Sequence, residues 1–216
     1  YWALLCGKTT LLKIITGLIL ATSWEVLIVG KPATGPGPDR AFVFQDFALL
    51  PWATFLRNVA FGLELRGVPK PQRKHTAVKY IRDVGLSSFE QSYPHELSGG
   101  MRQRVGLARA LCVDAQVLLM EEPFSAVDEQ TRRKFQEDLL SLVQKENKTF
   151  LFVTHSIEEA VYVSDQIAIL LPRPSCVSEI IRPTGFRNKD KDNIRRDAKY
   201  LDIVDKIWAS LRTYVE

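Results

Sequence analysis

The tightest constraint on this chain is a run of four apolar residues, Val117-Leu118-Leu119-Met120, that stops abruptly at Glu121, Glu122 and Pro123. A short strand that is apolar at every position, and not at alternate ones, belongs inside a parallel sheet covered on both faces. The chain is therefore expected to be an α/β protein. Carboxylates at the carboxyl end of such a strand stand where open α/β sheets bind their ligands. One could hold a hydrated Mg²⁺ while the other polarises a water. Two adjacent acids after a strand are also a common solvated turn, so the pair decides nothing alone.

What surrounds the strand gives the acids a context. Upstream, Leu97-Ser98-Gly99-Gly100-Met101-Arg102-Gln103 leads into a helical pattern in which Met101, Val105, Ala108 and Cys112 share an apolar face, with Arg102, Gln103 and Arg109 elsewhere. A helix starting near Ser98 presents free N–H groups and its dipole to an anion, and the glycines let a phosphate approach the backbone. An ordinary capped helix has the same start. Downstream, Phe124-Ser125-Ala126-Val127-Asp128 enters another helix with Asp128 as a possible cap. Near the beginning, Gly7-Lys8-Thr9-Thr10, followed by Leu11, Leu12, Ile14 and Ile15, reads as a phosphate-binding loop entering a buried helix. There Lys8 suits β/γ-phosphates and Thr9 suits Mg²⁺.

Taken in order, residues 97–128 resemble the signature motif, Walker B segment and D-loop of the ATP-binding-cassette (ABC) ATPases. Two further stretches resemble the same family. Phe44-Gln45-Asp46-Phe47-Ala48-Leu49-Leu50-Pro51-Trp52 is similar to the Q-loop of ABC importers, and Val153-Thr154-His155-Ser156 to the family's switch histidine. The resemblance implies a P-loop core over residues 1–46 and 97–171, a helical subdomain inserted at 47–96, and a tail at 172–216 with a docking helix. It implies ATP and Mg²⁺ as ligands. Gly7, Lys8, Thr9 and Thr10 would cradle the phosphates, and Thr9, Gln45 and Glu121 would serve the metal. Glu122 would polarise water while Gln45 and His155 position the reacting groups. Ser98, Gly99, Gly100, Gln103 and Asp128 would complete the nucleotide site, with two copies facing head to tail so that Ser98 and Gly100 of one meet ATP on Lys8 of the other.

Between these motifs the expected elements are a turn over 17–23, a strand over 25–29 closing at Gly30, a loop at 35–39 and a strand over 41–44. The helical stretch from about 54 to 92 has Phe55, Val59, Leu63, Leu65, Val78, Ile81 and Val84 as its apolar positions. Exposed aromatic residues near Phe47 and Trp52 suit contact with a partner helix, with burial in the core as the competing reading. Phe135, Leu139 and Leu142 should turn inward from a charged helix, strands are expected at 150–153 and 166–171, and the tail should hold a proline-containing loop and a helix docking through Leu201, Val204, Trp208 and Leu211. His75 and His95 lack a motif context and read as surface or packing residues.

Composition narrows the class. With 216 residues, 46% hydrophobic and 25% charged, the chain can bury a sizeable core as one domain. A net charge of +4, dispersed along the chain, argues against nucleic acid as a partner. Cys6, Cys112 and Cys176 have neither metal-ligand spacing nor an even disulfide framework, which fits a reducing cytosol. No apolar run reaches membrane-spanning length, and no signal peptide is expected. The tail, the 35–39 loop and Leu49-Leu50-Pro51-Trp52 most resemble the ATPases of nitrate, sulfonate, taurine and bicarbonate importers. That resemblance implies a peripheral subunit on the cytoplasmic face of a bacterial inner membrane. Its partners would be permease subunits, a second copy or a homologous ATPase, and indirectly a solute-binding protein.

Four positions depart from the family pattern. Trp2 and Leu5 stand at phosphate-loop glycines, Trp24 at another glycine, and Glu121 where the Walker B segment has aspartate. Bulky residues do not readily supply the positive φ angles or close phosphate approach of glycine. The extra methylene of Glu121 implies weakened binding of Mg²⁺, whose octahedral geometry tolerates little displacement. Either the loop is degenerate or the first six residues do not report the native sequence; the second is expected, together with a strand missing upstream. Two other readings stay open: a catalytically impaired ABC subunit that serves as a partner-binding half, and a soluble ABC ATPase outside transport.

Overall fold

The computed structural model describes residues 7–125, 129–146, 148–171, 175–184 and 191–212. Asp128 and the departures at Trp2 and Leu5 lie outside them. The chain forms two compact units, one of residues 12–153 and the other of the residues before 12 together with those after 153.

The chain enters through helix α1 (Lys8–Ile15), whose Leu12 is fully buried. The unit of residues 12–153 then forms a small hairpin, β1 (Leu27–Ile28) against β2 (Lys31–Pro32). The expected strand over 25–29 is shorter because Val29 and Gly30 both take left-handed backbone, with φ of 50° and 74°. Two consecutive positive φ values make the tight turn that reverses a hairpin, so the strand ends at Ile28.

Strand β3 (Arg40–Val43) opens the parallel sheet. Its crossover carries three helices, α2 (Phe55–Leu65), α3 (Lys70–Asp83) and α4 (Gly99–Cys112), before β4 (Val117–Glu121); α5 (Glu129–Lys145) then leads to β5 (Thr149–Val153). The order is β3-β4-β5 with both pairings parallel, so the apolar run from Val117 lies in the central strand. Leu118, Leu119 and Met120 are buried, as a strand covered on both faces requires.

Helices α2, α3 and α4 pack on one another. Phe55 and Val59 from α2, Ile81 from α3, Val84 just past α3, and Leu107 and Leu111 from α4 fill the space between them. Leu65 and Val78 face solvent instead. At the other side, Phe124 lies edge-on to Phe135 and Phe152, and Arg104 ties α4 to α5 through Asp138 at 2.9 Å. Phe135, Leu139 and Leu142 of α5 turn inward as the sequence pattern requires.

The other unit contains α6 (Ile157–Val163), the antiparallel pair β6 (Ile167–Leu170) and β7 (Val177–Ile181), the short α7 (Lys191–Ile194) and α8 (Ala198–Arg212). The tail thus contains a strand that the sequence did not suggest. α8 packs on α6. It does so through Tyr200, Val204 and Ile207, leaving Leu201 and Trp208 half exposed, so its buried face is rotated from the expected one. The Tyr200 hydroxyl donates to the Glu158 carbonyl at 3.0 Å, which lets the aromatic ring be buried without stranding its polar end.

Candidate functional site

Register brings two of the singled-out residues to one edge of the sheet. Val43 of β3 pairs with Met120 of β4, so Gln45 and Glu122 each follow a paired residue by two positions on adjacent parallel strands. Both therefore leave the sheet at its carboxyl edge, where open α/β sheets take ligands. Glu121 is the last residue of β4 and pairs with Val153 of β5; His155 follows β5 by two residues along the chain.

Glu122 is held in an uncommon conformation. Its φ is 47°, a left-handed backbone that a non-glycine residue adopts only where its surroundings enforce it. Those surroundings are visible. The Glu122 N–H donates to the Val153 carbonyl at 3.0 Å, and its own carbonyl accepts from the Ser125 N–H at 3.2 Å and the Ser125 hydroxyl at 3.0 Å. The turn is fixed on both sides of the carboxylate, which stays half-buried at the strand end.

The segment after Gln45 is equally defined. Gln45 and Asp46 are exposed, and Phe47 and Ala48 then take φ of 63° and 42°. Arg109 of α4 spans the turn, donating to the Phe47 carbonyl at 2.6 Å and the Ala48 carbonyl at 2.8 Å. Burial pushes the Arg109 guanidinium below its usual pKa, and Asp46 opposes that shift. Farther along, Asn58 of α2 is fully buried. Its side-chain oxygen accepts from the Leu50 N–H at 2.8 Å, while its NH₂ faces the carbonyls of Leu50, Ala53 and Thr54 at 3.0–3.2 Å. The left-handed turn buries Phe47, which follows the core reading and not the partner contact, whereas Trp52 is 70% exposed. Neither Arg109 nor Asn58 was marked by the sequence motifs; a polar residue facing a core-lined helix surface was the available hint.

At the start of α4, Ser98 is the N-cap, its hydroxyl accepting from the Met101 N–H at 3.3 Å, and Gly99 and Gly100 form the first helical residues. Ser98 is exposed and its two glycines half-buried, so this helix start is open. Gln103 lies differently from its expected place off the apolar face. It is 1% exposed, and neither its amide oxygen nor its amide nitrogen has a hydrogen-bond partner.

At the start of α1, Gly7 takes a φ of 69°, a conformation suited to glycine, and its carbonyl accepts from the Leu11 N–H at 2.8 Å. Lys8 and Thr9 are half-buried and Thr10 exposed in the first turn. In the same unit Thr154 donates to Glu159 at 2.7 Å and accepts from the Ser156 N–H at 3.0 Å, ordering the chain on either side of His155.

The donor set fits Mg²⁺ by its chemistry. The Thr9 hydroxyl, Gln45 amide oxygen and Glu121 carboxylate are all hard oxygen donors. Among the described residues no group of three His, Cys, Asp or Glu side chains could hold a metal. The described residues also contain no helix long and apolar enough to cross a membrane.

The chain is similar to known ATP-binding-cassette proteins over most of its length. The ABC transporter family pattern matches residues 6–125. An uncharacterised ABC transporter ATP-binding protein of Methanocaldococcus jannaschii is 52% identical over 210 residues, covering 97% of this chain and 77% of that protein. A nitrate import ATP-binding protein of Synechocystis is 41% identical over 211 residues, with 95% and 79% covered. A taurine import ATP-binding protein of Yersinia pestis is 47% identical over 174 residues, with 81% and 68% covered. Among solved structures, a dimeric ATP-binding cassette in a post-hydrolysis state, bound to ADP and Pi, superposes with a TM-score of 0.70 at 31% identity, covering 84% of this chain and 82% of its own. A family pattern over more than half of the chain and relatives at 41–52% identity make this chain a member of the ABC transporter family, an ATP-binding-cassette ATPase.

Proposed function

We propose that this chain is the ATP-hydrolysing subunit of an importer for a small anion or related solute of the nitrate, sulfonate, taurine or bicarbonate type. The observation that carries the catalytic part is the common register of Gln45 and Glu122 at the carboxyl edge of two paired parallel strands, with the Glu122 backbone fixed on both sides. The solute class draws on the likeness to nitrate and taurine import proteins.

In this reading Lys8 and the first N–H groups of α1 bind the β- and γ-phosphates. Glu122 accepts a proton from the attacking water, and Gln45 and His155 orient that water and the γ-phosphate. Thr9, Gln45 and Glu121 would hold Mg²⁺, whose chemistry there would be to neutralise charge on the phosphates. Ser98, Gly99 and Gly100, with Asp128 in support, serve the nucleotide of a facing copy or homologue, whereas the buried Gln103 does not reach that face. Residues 1–46 and 97–171 form the nucleotide-binding core, 47–96 the helical subdomain, and 172–216 the tail. Trp52, exposed after the Gln45 loop, suits a permease contact at the cytoplasmic face of the membrane.

Substitution tests the catalytic assignment. Glu122→Gln keeps the side-chain shape but cannot accept a proton, so ATP turnover should be abolished with ATP binding intact. Unchanged hydrolysis in a purified, partner-bound preparation would remove Glu122 from this role.

A further inference from the structure

Arg109 stands where a solvent-facing arginine is expected, yet it bonds across a turn 61 and 62 residues away in the chain. Its two acceptors are the carbonyls of consecutive residues, Phe47 and Ala48, which are both non-glycine and both left-handed. Such a pair does not hold its shape by itself, because each residue sits in a sparsely populated backbone region. A planar guanidinium with a fixed fork of donors is suited to gripping two neighbouring carbonyls; an ammonium offers a point charge without that geometry.

The loop has a second, separate anchor. Asn58 fixes Leu50, Ala53 and Thr54, which leaves the first part of the loop, Gln45 to Ala48, dependent on Arg109 and on the Phe47 N–H donated to the Phe44 carbonyl at 3.0 Å. The same face of α4 comes close to this region at Gly106, where an added Cβ would lie 3.6 Å from both Val43 and Phe47. α4 also begins at Ser98, the glycine-started end described above. One helix therefore carries an open anion-type N-terminus at one end and the grip on the Gln45 loop near the other.

We propose that Arg109 is a positioning residue for Gln45: its guanidinium sets the left-handed turn at Phe47 and Ala48 and thereby the place from which the Gln45 amide acts. This rests on the ATPase reading only for its effect on turnover, since the grip itself is a property of the folded chain. Both of these Arg109 side-chain bonds go to main-chain carbonyls of the loop. Its action passes through the loop backbone.

The test uses the full chain and two variants, Arg109→Met, which keeps an apolar stem, and Arg109→Lys, which keeps the charge without the fork. Hydrogen exchange is followed without nucleotide, and Mg²⁺-ATP hydrolysis is then measured. Exchange at the Phe47 N–H should quicken by roughly tenfold or more in both variants. Exchange at the Leu50 N–H, held by Asn58, and in β4 should stay as in the unsubstituted chain. With ATP, kcat should fall by roughly 10- to 100-fold while KM changes little, because a misplaced orienting group acts in the transition state. Unchanged exchange at Phe47, faster exchange spread evenly through the unit, or full kcat restored by Arg109→Lys would each overturn the proposal. Should Arg109→Met not fold, the Lys variant alone decides it on the same readouts. An unsubstituted chain that binds but never hydrolyses ATP would overturn the ATPase reading instead, and the exchange comparison would still decide the grip.

Discussion

Asn58 offers a test in which structure fixes both direction and size. Replacing it with alanine removes one acceptor and the NH₂ group that serves three carbonyls. Some of those groups have other partners: the Leu50 carbonyl also accepts from the Ala53 N–H, and the Thr54 carbonyl from the Asn58 N–H. The Leu50 N–H and the Ala53 carbonyl have Asn58 as their described partner, so they are the two groups stranded. A stranded buried polar group costs about 1–3 kcal/mol, and the half-buried Leu50 belongs at the lower end, which gives a loss of about 2–4 kcal/mol. With a urea dependence of about 2 kcal/mol per molar, the unfolding midpoint should drop by roughly 1–2 M at constant slope. Far-UV circular dichroism against urea reads this directly. Asn58→Asp sharpens the test, because it keeps the volume and the acceptor for the Leu50 N–H but turns carboxylate oxygen toward carbonyls. It should be at least as damaging as alanine at neutral pH and recover partly in acid, where a protonated carboxyl regains a donor. A midpoint shift below about 0.3 M for alanine, or an aspartate variant as stable as the parent at neutral pH, would refute this reasoning.

Ser98→Arg should spare ATP affinity of the monomer and block nucleotide-driven dimerisation; normal ATP-dependent dimers by light scattering would disprove the head-to-tail arrangement. Glycine at Trp2 and Leu5, with a preceding strand supplied, should recover Mg²⁺-ATP binding relative to the present sequence, since a residue other than glycine costs about 1–3 kcal/mol wherever a phosphate loop demands a glycine conformation. Equal, tight binding by both versions would mean that Gly7, Lys8 and Thr9 suffice, while no binding by either would favour the impaired-subunit reading. Burial pushes the Cys112 thiol up to about 12, so at pH 8 iodoacetamide should label the exposed Cys176 and leave Cys112 untouched in peptide maps. Because that folded-state value lies above the usual 9.0, the unfolded chain loses the proton first as pH rises, and stability should decline from about pH 9 toward 12; Cys112→Ala should flatten the early part of that decline in urea titrations.

The parts of this protein that were legible in sequence are those in which one short segment carries both the element and its chemistry. Val117 to Glu122 announces a doubly covered strand and its terminal carboxylates because apolar continuity has few other uses. Ser98 announces a helix start because its hydroxyl caps locally. The other features depend on distant partners. β7 was missed because Val177 and Ile180 remain exposed, giving no clean alternation, and the strand exists through its pairing with β6. The docking face of α8 was misjudged because two stripes compete, and Tyr200 gains burial only by donating to Glu158. Gln103 looks solvent-facing by polarity alone, yet its helix is covered on that side too. Arg109 and Asn58 act on backbone atoms, which leave no pattern in side-chain type.

That last property bears on how such a loop can diversify. Both anchors grip carbonyls and an N–H, and neither bonds to the side chains of Ala48 or Trp52, which project outward. Mutation at those outward positions can therefore alter what the loop presents to another protein without redrawing the path of its main chain. A lineage could change transport partners by drift at a handful of surface codons while the geometry behind Gln45 stays as it was.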